Sequence, residues 1–218
     1  MSGLGRALIL VDLQNDFLSG GALAVNAGHE VIPVANKLLM ARALFFDVTV
    51  STKDWHPKGH KSFASSHEGR QPGEKIIWSG LEQVLWPDHC VQGTFGAEFS
   101  ADLLVPHIDK VFEKGVDTEI DSYSGFFDNG RRHDTGLAGW LRNSNVTLLT
   151  IMGLATDYCV KWTVLDAIGA GFQVDVILDG CRAVDLNAGD REKALGEMRD
   201  AGARILGLDE FMSRMRRD

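Results

Sequence analysis

The chain alternates short apolar runs with stretches of helical periodicity. Ala7-Leu8-Ile9-Leu10-Val11 is uninterrupted apolar sequence stopped by Asp12, the pattern of a strand covered on both faces. A loop with Gly20, Gly21 and Gly28 follows. Val31, Val34, Leu38, Leu39 and Arg42 then fall at helical spacing, with Pro33 in the first turn. Phe46 to Thr52 predicts a second strand ending near Asp54. From His56 to about Glu98 the periodicity fades into a long polar stretch, and irregular segments of such length usually serve function. Beyond it the alternation resumes. Strands are predicted at Lys110 to Glu113, Val146 to Met152, Val174 to Leu178 and Arg204 to Leu206. Helices are predicted at Gly136 to Arg142, at Thr156 to Ala170 closed by Gly171, at Asp190 to Ala201 stopped by Gly202, and at the C-terminus.

Strands alternating with helices predict a three-layer α/β/α fold around a mostly parallel sheet of about six strands. With 218 residues and no repeat or linker, the chain reads as one domain over 1–218. Its formal net charge of -8 argues against non-specific nucleic-acid binding, which needs a positive field. The small basic cluster Arg214, Arg216 and Arg217 reads as a solubilising tail. Three cysteines, Cys90, Cys159 and Cys181, describe no disulfide framework and suit a reducing compartment. No apolar run reaches the length of a signal core or a membrane span, so a cytoplasmic protein without a membrane partner is expected.

In parallel sheets, ligands bind beyond the carboxyl ends of the strands. Four chemically useful groups are predicted there: Asp12 after the first strand, Asp54 after the second, Lys114 after the third and Cys159 after the fourth. Cys159 falls in the first turn of a predicted helix with Thr156 as its N-cap. Free backbone N–H groups and the positive helix end lower a thiol pKa at such a place and can hold an oxyanion. A buried, inert cysteine is the competing reading. Asp12 and Lys114 favour the nucleophile, because a thiol hydrolase needs a proton acceptor and a cation beside the thiolate; a solvated strand-end ion pair is the bland alternative. Cys181 has no helix directly after it, and Cys90 lies in the polar stretch, so both read as structural. Asp54, His56 and His89 form a mixed oxygen and nitrogen donor set suited to Zn, Mn or Fe. His60 or Ser62 is a candidate fourth contact, directly or through water, while His67 reads as solvated. The same donor set also occurs in non-haem iron oxygenases, usually on β-barrels, and a binding module without catalysis is a further reading.

Six segments together resemble the nicotinamidase group of the isochorismatase-like cysteine hydrolases, over nearly the whole chain. They are Val11-Asp12-Leu13-Gln14-Asn15-Asp16-Phe17, Lys53-Asp54-Trp55-His56-Pro57, Trp86-Pro87-Asp88-His89-Cys90-Val91-Gln92-Gly93-Thr94, Lys114-Gly115, Tyr123-Ser124-Gly125-Phe126 and Gly153-Leu154-Ala155-Thr156-Asp157-Tyr158-Cys159-Val160. The resemblance implies a catalytic triad of Asp12, Lys114 and Cys159. It implies a divalent metal ion on Asp54, His56 and His89, in a loop insertion around 54–98. It implies an oxyanion hole from the N–H groups of Ala155 and Cys159, with a cis peptide before Ala155. Phe17, Trp86 and Tyr123 match positions lining the substrate ring pocket. The implied reaction is hydrolysis of nicotinamide to nicotinate and ammonia through a cysteine thioester; another small amide, such as a carbamoyl or ureido compound, is the alternative substrate class. The region from His60 to Gly80 differs most within the group. A homo-oligomer is compatible with the sequence, which does not specify its order.

Overall fold

A computed structural model describes residues 5–215. Arg216 and Arg217 of the basic cluster lie outside the described residues, and Arg214 pairs with Glu210 one helical turn back at 2.7 Å. The main sheet has six strands: β1 (Gly5–Val11), β2 (Val48–Asp54), β5 (Lys110–Lys114), β6 (Val146–Leu154), β7 (Gln173–Arg182) and β8 (Arg204–Leu206). They lie in the order β5-β2-β1-β6-β7-β8, and every neighbouring pair is parallel. Residues 7–11 of β1 are wholly buried, which explains why the central strand is an unbroken apolar run rather than an alternating one.

Helices α1 (Val31–Met40) and α6 (Leu208–Met215) pack on β7, and Phe45 of the short α2 (Arg42–Phe45) meets Phe211 of α6. Helices α3 (Leu137–Asn143), α4 (Lys161–Gly169) and α5 (Asp190–Asp200) cross over between β5 and β8. Parallel crossovers are right-handed. The leftward connection from β1 to β2 and the rightward ones from β5 through β8 therefore put α1 on one face and α3, α4 and α5 on the other. The chain runs one way from β1 and the other way from β6. The gap between their carboxyl ends is the switch point, where such sheets open a crevice.

Several boundaries differ from expectation. The polar stretch is not structureless: it holds an antiparallel hairpin of β3 (Lys75–Trp78) and β4 (Leu81–Val84). β6 runs on through Gly153 and Leu154, and β7 through Asp179 and Gly180 to Arg182, so Cys181 lies inside a strand rather than after one. The polar pair Asp179-Gly180 hides that continuity, and the ladder itself is irregular here, jumping from Ile151↔Val176 to Gly153↔Cys181. Gly180 lies under Met152, whose Cε is 2.6 Å from where a Cβ would be and would have to shift for a larger residue. Thr156–Val160 forms a π-turn that precedes α4 rather than being its first α-helical turn. Among the described residues no helix is long and apolar enough to cross a membrane.

Candidate active site

β1 ends at Val11, and Asp12 takes φ 51°, a conformation uncommon outside glycine and found preferentially at functional sites. This turns the chain away from the sheet and leaves the Asp12 carboxylate, wholly buried, at the switch point. Gly153 lies directly across from Val11, and a Cβ there would stand 2.2 Å from the Val11 carbonyl oxygen. Only glycine permits that approach. The peptide between Leu154 and Ala155 is cis, as the family resemblance implies. The π-turn follows, closed by the Val160 N–H on the Ala155 carbonyl at 3.1 Å, and it carries Cys159. Thr156 is not the N-cap: Ala155 takes that place, and the Thr156 hydroxyl is buried without a hydrogen-bond partner.

Asp54 and Lys114 are the last residues of β2 and β5 and pair across the ladder, rather than following their strands. The Lys114 ammonium is fully buried and touches four groups. It lies 2.9 Å from Asp12 Oδ2, and donates to Asp54 Oδ1 at 2.5 Å, to the Ser122 carbonyl at 2.9 Å and to Cys159 Sγ at 3.3 Å. Thr52 donates its hydroxyl to the other Asp12 oxygen at 2.6 Å. Asp12, Lys114 and Cys159 thus meet as expected. Thr52, Ser122 and the second carboxylate on Lys114 did not figure in the sequence reading. Thr52 was accessible to it, since residues two apart in a strand share a face and Asp54 was already singled out.

Burial dominates the titration of this cluster. It pushes Asp12 up to about 6, against the lowering charge of Lys114 and with the repulsion of Asp54. Burial alone would neutralise Lys114, but Asp12 and Asp54 together hold its pKa well above the ordinary lysine value. The Cys159 thiol is pushed well above its usual range by burial, which outweighs Lys114 and is reinforced by Asp12. This corrects the expectation of a thiol pKa lowered by a helix start. At rest the sulfur holds its proton, and a base must remove it.

On the far side of Asp54, its Oδ2 lies 3.7 Å from His56 Nε2 and 3.9 Å from His89 Nε2. His56 Nδ1 contacts the Gly115 carbonyl at 3.0 Å and His89 Nδ1 the Pro87 carbonyl at 2.8 Å. A carbonyl can only accept, so both rings carry a proton on Nδ1, and Nε2 is the atom each turns toward Asp54. Three buried donors at such separations fit around one ion with metal–ligand bonds of about 2.0–2.2 Å, and carbonyl partners of this kind orient metal-binding histidines. Gly115 is required here: its φ is +64°, and a Cβ would stand 2.4 Å from the His56 ring. His60 Nδ1 lies 2.7 Å from Ser62 Oγ, while its buried Nε2 has no hydrogen-bond partner, and His60 groups with His56 and Asp121. His67 is not simply solvated: it is half-buried, its Nε2 lies 2.9 Å from the Lys61 carbonyl, and its ring packs edge-on against Trp78.

Aromatic rings line the approach. Trp86 and Tyr123 share a hydrogen bond of 3.3 Å, and both meet Tyr158 edge-on, at 4.9 and 5.3 Å. Phe17 packs against the His89 ring at 5.6 Å. Tyr158 was missed in the sequence, although it immediately precedes Cys159. The 60–80 region supplies the first strand of the hairpin, and the second, Leu81–Val84, leads into Trp86. Cys90 is fully buried and hydrogen-bonded through its N–H to Asp16 at 2.7 Å, and Cys181 is buried in β7; both are structural.

Residues 6–210 match the family described as the isochorismatase domain. The nicotinamidase of Escherichia coli K12 is 49% identical over 206 residues, 94% of this chain and 96% of that protein. A nicotinamidase/pyrazinamidase structure from Acinetobacter baumannii superposes with a TM-score of 0.91 at 40% identity, covering 97% of this chain and all of the other. A pyrazinamidase from Pyrococcus horikoshii, solved in complex with zinc, superposes with a TM-score of 0.75 at 36% identity, covering 93% of this chain and 98% of the other. A buried thiol, carboxylate and lysine at the switch point of a parallel sheet, with matches of this extent on both sides, place the chain in the isochorismatase family.

Proposed function

We propose that this protein hydrolyses nicotinamide to nicotinate and ammonia, with Asp12, Lys114 and Cys159 as the catalytic groups. The observation that carries this reading is the Lys114 ammonium, held within 3.3 Å of both the thiol and the Asp12 carboxylate. The E. coli relative is a nicotinamidase, and 49% identity over nearly both full lengths supports the same amidohydrolase activity here.

Each step follows from the residues. The substrate ring lies among Phe17, Trp86, Tyr123 and Tyr158, whose faces and edges suit a flat heteroaromatic ring. Asp54, His56 and His89 hold a divalent ion, Zn, Mn or Fe, which when bound supplies a Lewis-acidic anchor for the pyridine nitrogen. Ionised Asp12 takes the Cys159 proton, and Lys114 offsets the charge that appears on sulfur. The thiolate attacks the amide carbon, and the N–H groups of Ala155 and Cys159 receive the developing oxyanion. Asp12 then delivers the proton to the leaving nitrogen, and ammonia departs. In the second half Asp12 takes a proton from water, which attacks the thioester; nicotinate leaves and the proton returns to sulfur.

The test is ammonia release from nicotinamide by the purified protein, with pyrazinamide and a ureido compound as comparison substrates. Turnover of nicotinamide is expected to exceed that of the ureido compound. Hydrolysis of the ureido compound alone would reassign the substrate class.

A further inference from the structure

β1 and β2 stop pairing before β2 ends. Their last paired residues are Leu10 and Ser51, because Asp12 turns away, yet β2 continues to Asp54 on its β5 side. The Trp55 N–H bonds to the Lys114 carbonyl. The main-chain N–H and C=O of Asp54 itself face the side that β1 has left, and Asp54 is 4% exposed. Unpaired buried peptide groups are costly, so something must replace the missing strand.

The replacement is one side chain. The Gln14 amide donates to the Asp54 carbonyl at 2.7 Å and accepts from the Asp54 N–H at 2.8 Å. It is a two-bond pairing of the kind a peptide unit would make. The second Gln14 N–H goes to the Ala97 carbonyl at 2.9 Å, and the side chain is fully buried. The main chain of Gln14 is fixed as well, through its N–H to the Asp12 carbonyl at 2.8 Å and an isolated bridge to Phe99. Glutamine alone among the side chains of this length offers an acceptor and two donors on one planar group. Glutamate would turn an anion toward two carbonyls, and asparagine is one carbon too short.

We propose that Gln14 is a positioning residue: it sets the backbone of Asp54 and thereby aims both Asp54 oxygens, one at Lys114 and one at the ion between His56 and His89. The inference rests on the assignment of Asp54 to that ion. Gln14 reaches neither substrate nor metal. Its effect is carried by the direction of the Asp54 carboxylate.

The experiment compares metal-loaded wild type with Gln14→Leu and Gln14→Glu. Zinc release into a chromophoric chelator is the primary readout, with thermal unfolding and nicotinamide kinetics beside it. Outer partners of metal ligands typically change affinity by about 10–100-fold, and zinc release from Gln14→Leu is expected to quicken by that factor. KM should rise more than kcat falls, because the ring anchor is loosened. Gln14→Glu keeps the acceptor for the Asp54 N–H but loses both donors and sets an oxygen against the Asp54 and Ala97 carbonyls, so its zinc release should also be faster than wild type. It also supplies the answer if Gln14→Leu does not fold. Zinc release and KM within about twofold of wild type in a folded variant would overturn the role, since lost packing alone predicts a lower unfolding temperature with unchanged metal kinetics. Failure of wild type to retain zinc at all would instead remove the metal assignment on which the inference depends.

Discussion

At the scale of single residues, Lys114 is the group on which the assignment turns. Buried between Asp12 and Asp54, it cannot be a surface ion pair worth about 0–1 kcal/mol. Lys114→Ala leaves two carboxylates facing each other without a cation and removes the only charge lowering the thiol pKa among its main influences. We expect kcat/KM to fall by about 10²–10⁴-fold and iodoacetamide labelling of Cys159 near neutral pH to slow in parallel; unchanged labelling and activity would return Lys114 to a structural role. Lys114→Arg should not restore the rate, since a planar guanidinium does not fit where a compact ammonium serves four partners. Cys159→Ala should abolish turnover with an unfolding curve close to wild type, whereas Cys181→Ala should lower stability and spare the chemistry. In the proposed mechanism Asp12 sets the pH dependence. It must be ionised to accept the thiol proton, and its pKa is pushed up to about 6, so kcat/KM should rise with pH below about 6 and level off above it. An acid limb in the ordinary aspartate range would show that another group titrates.

At the scale of elements, legibility followed burial. β1 could be read because it is covered on both faces and so shows one apolar run. The helices could be read from their periodicity and glycine stops. The β3–β4 hairpin was hidden, since its strands are short and half-exposed and carry charges such as Lys75 and Glu82 on the solvent side. The end of β7 was hidden by Asp179 and Gly180: the Asp179 carboxylate accepts from the Leu208 N–H, and Gly180 lies against the Met152 side chain of the neighbouring strand. Asp12, Asp54, Lys114 and Cys159 were visible as strand-end polar groups, and His56 and His89 through the motifs that carry them. Gln14 and Ser122 were not, because their part is to hold other residues through contacts distant in sequence, and the Ser122 group is a main-chain carbonyl that no residue type announces. Gly153 joins the two scales. With φ 138° and the Val11 carbonyl 2.2 Å from any added Cβ, Gly153→Ala must part β1 from β6 beside both Asp12 and the nucleophile turn. Overpacking typically costs about 1–3 kcal/mol, and a lower unfolding temperature together with lost activity is expected. Wild-type stability would show that the strands separate at no cost.

At the scale of the whole molecule, the metal-facing side chains come from β2 and from the stretch after the hairpin, so an ion there ties that stretch to the sheet. Anything that binds the native state alone raises its stability. Chelation should therefore lower the unfolding temperature as well as the activity, and added Zn, Mn or Fe should restore both; full activity in metal-free protein would remove the ion from the mechanism. The buried base has a cost of its own. In the unfolded chain Asp12 has the ordinary carboxylate value of 3.8, while in the fold it has about 6. Between those values the native state binds more protons than the unfolded one, so Asp12 makes the fold less stable as pH rises through this window, by about 1.4 kcal/mol per pH unit. The same ionisation switches the chemistry on. Asp12→Asn should be inactive, gain on wild type in unfolding free energy between about pH 4 and 6, and hold that gain at neutral pH. With Asp12 in the proposed role, the protein would work only in the protonation state its own fold resists, and selection for greater robustness at this position would run directly against turnover.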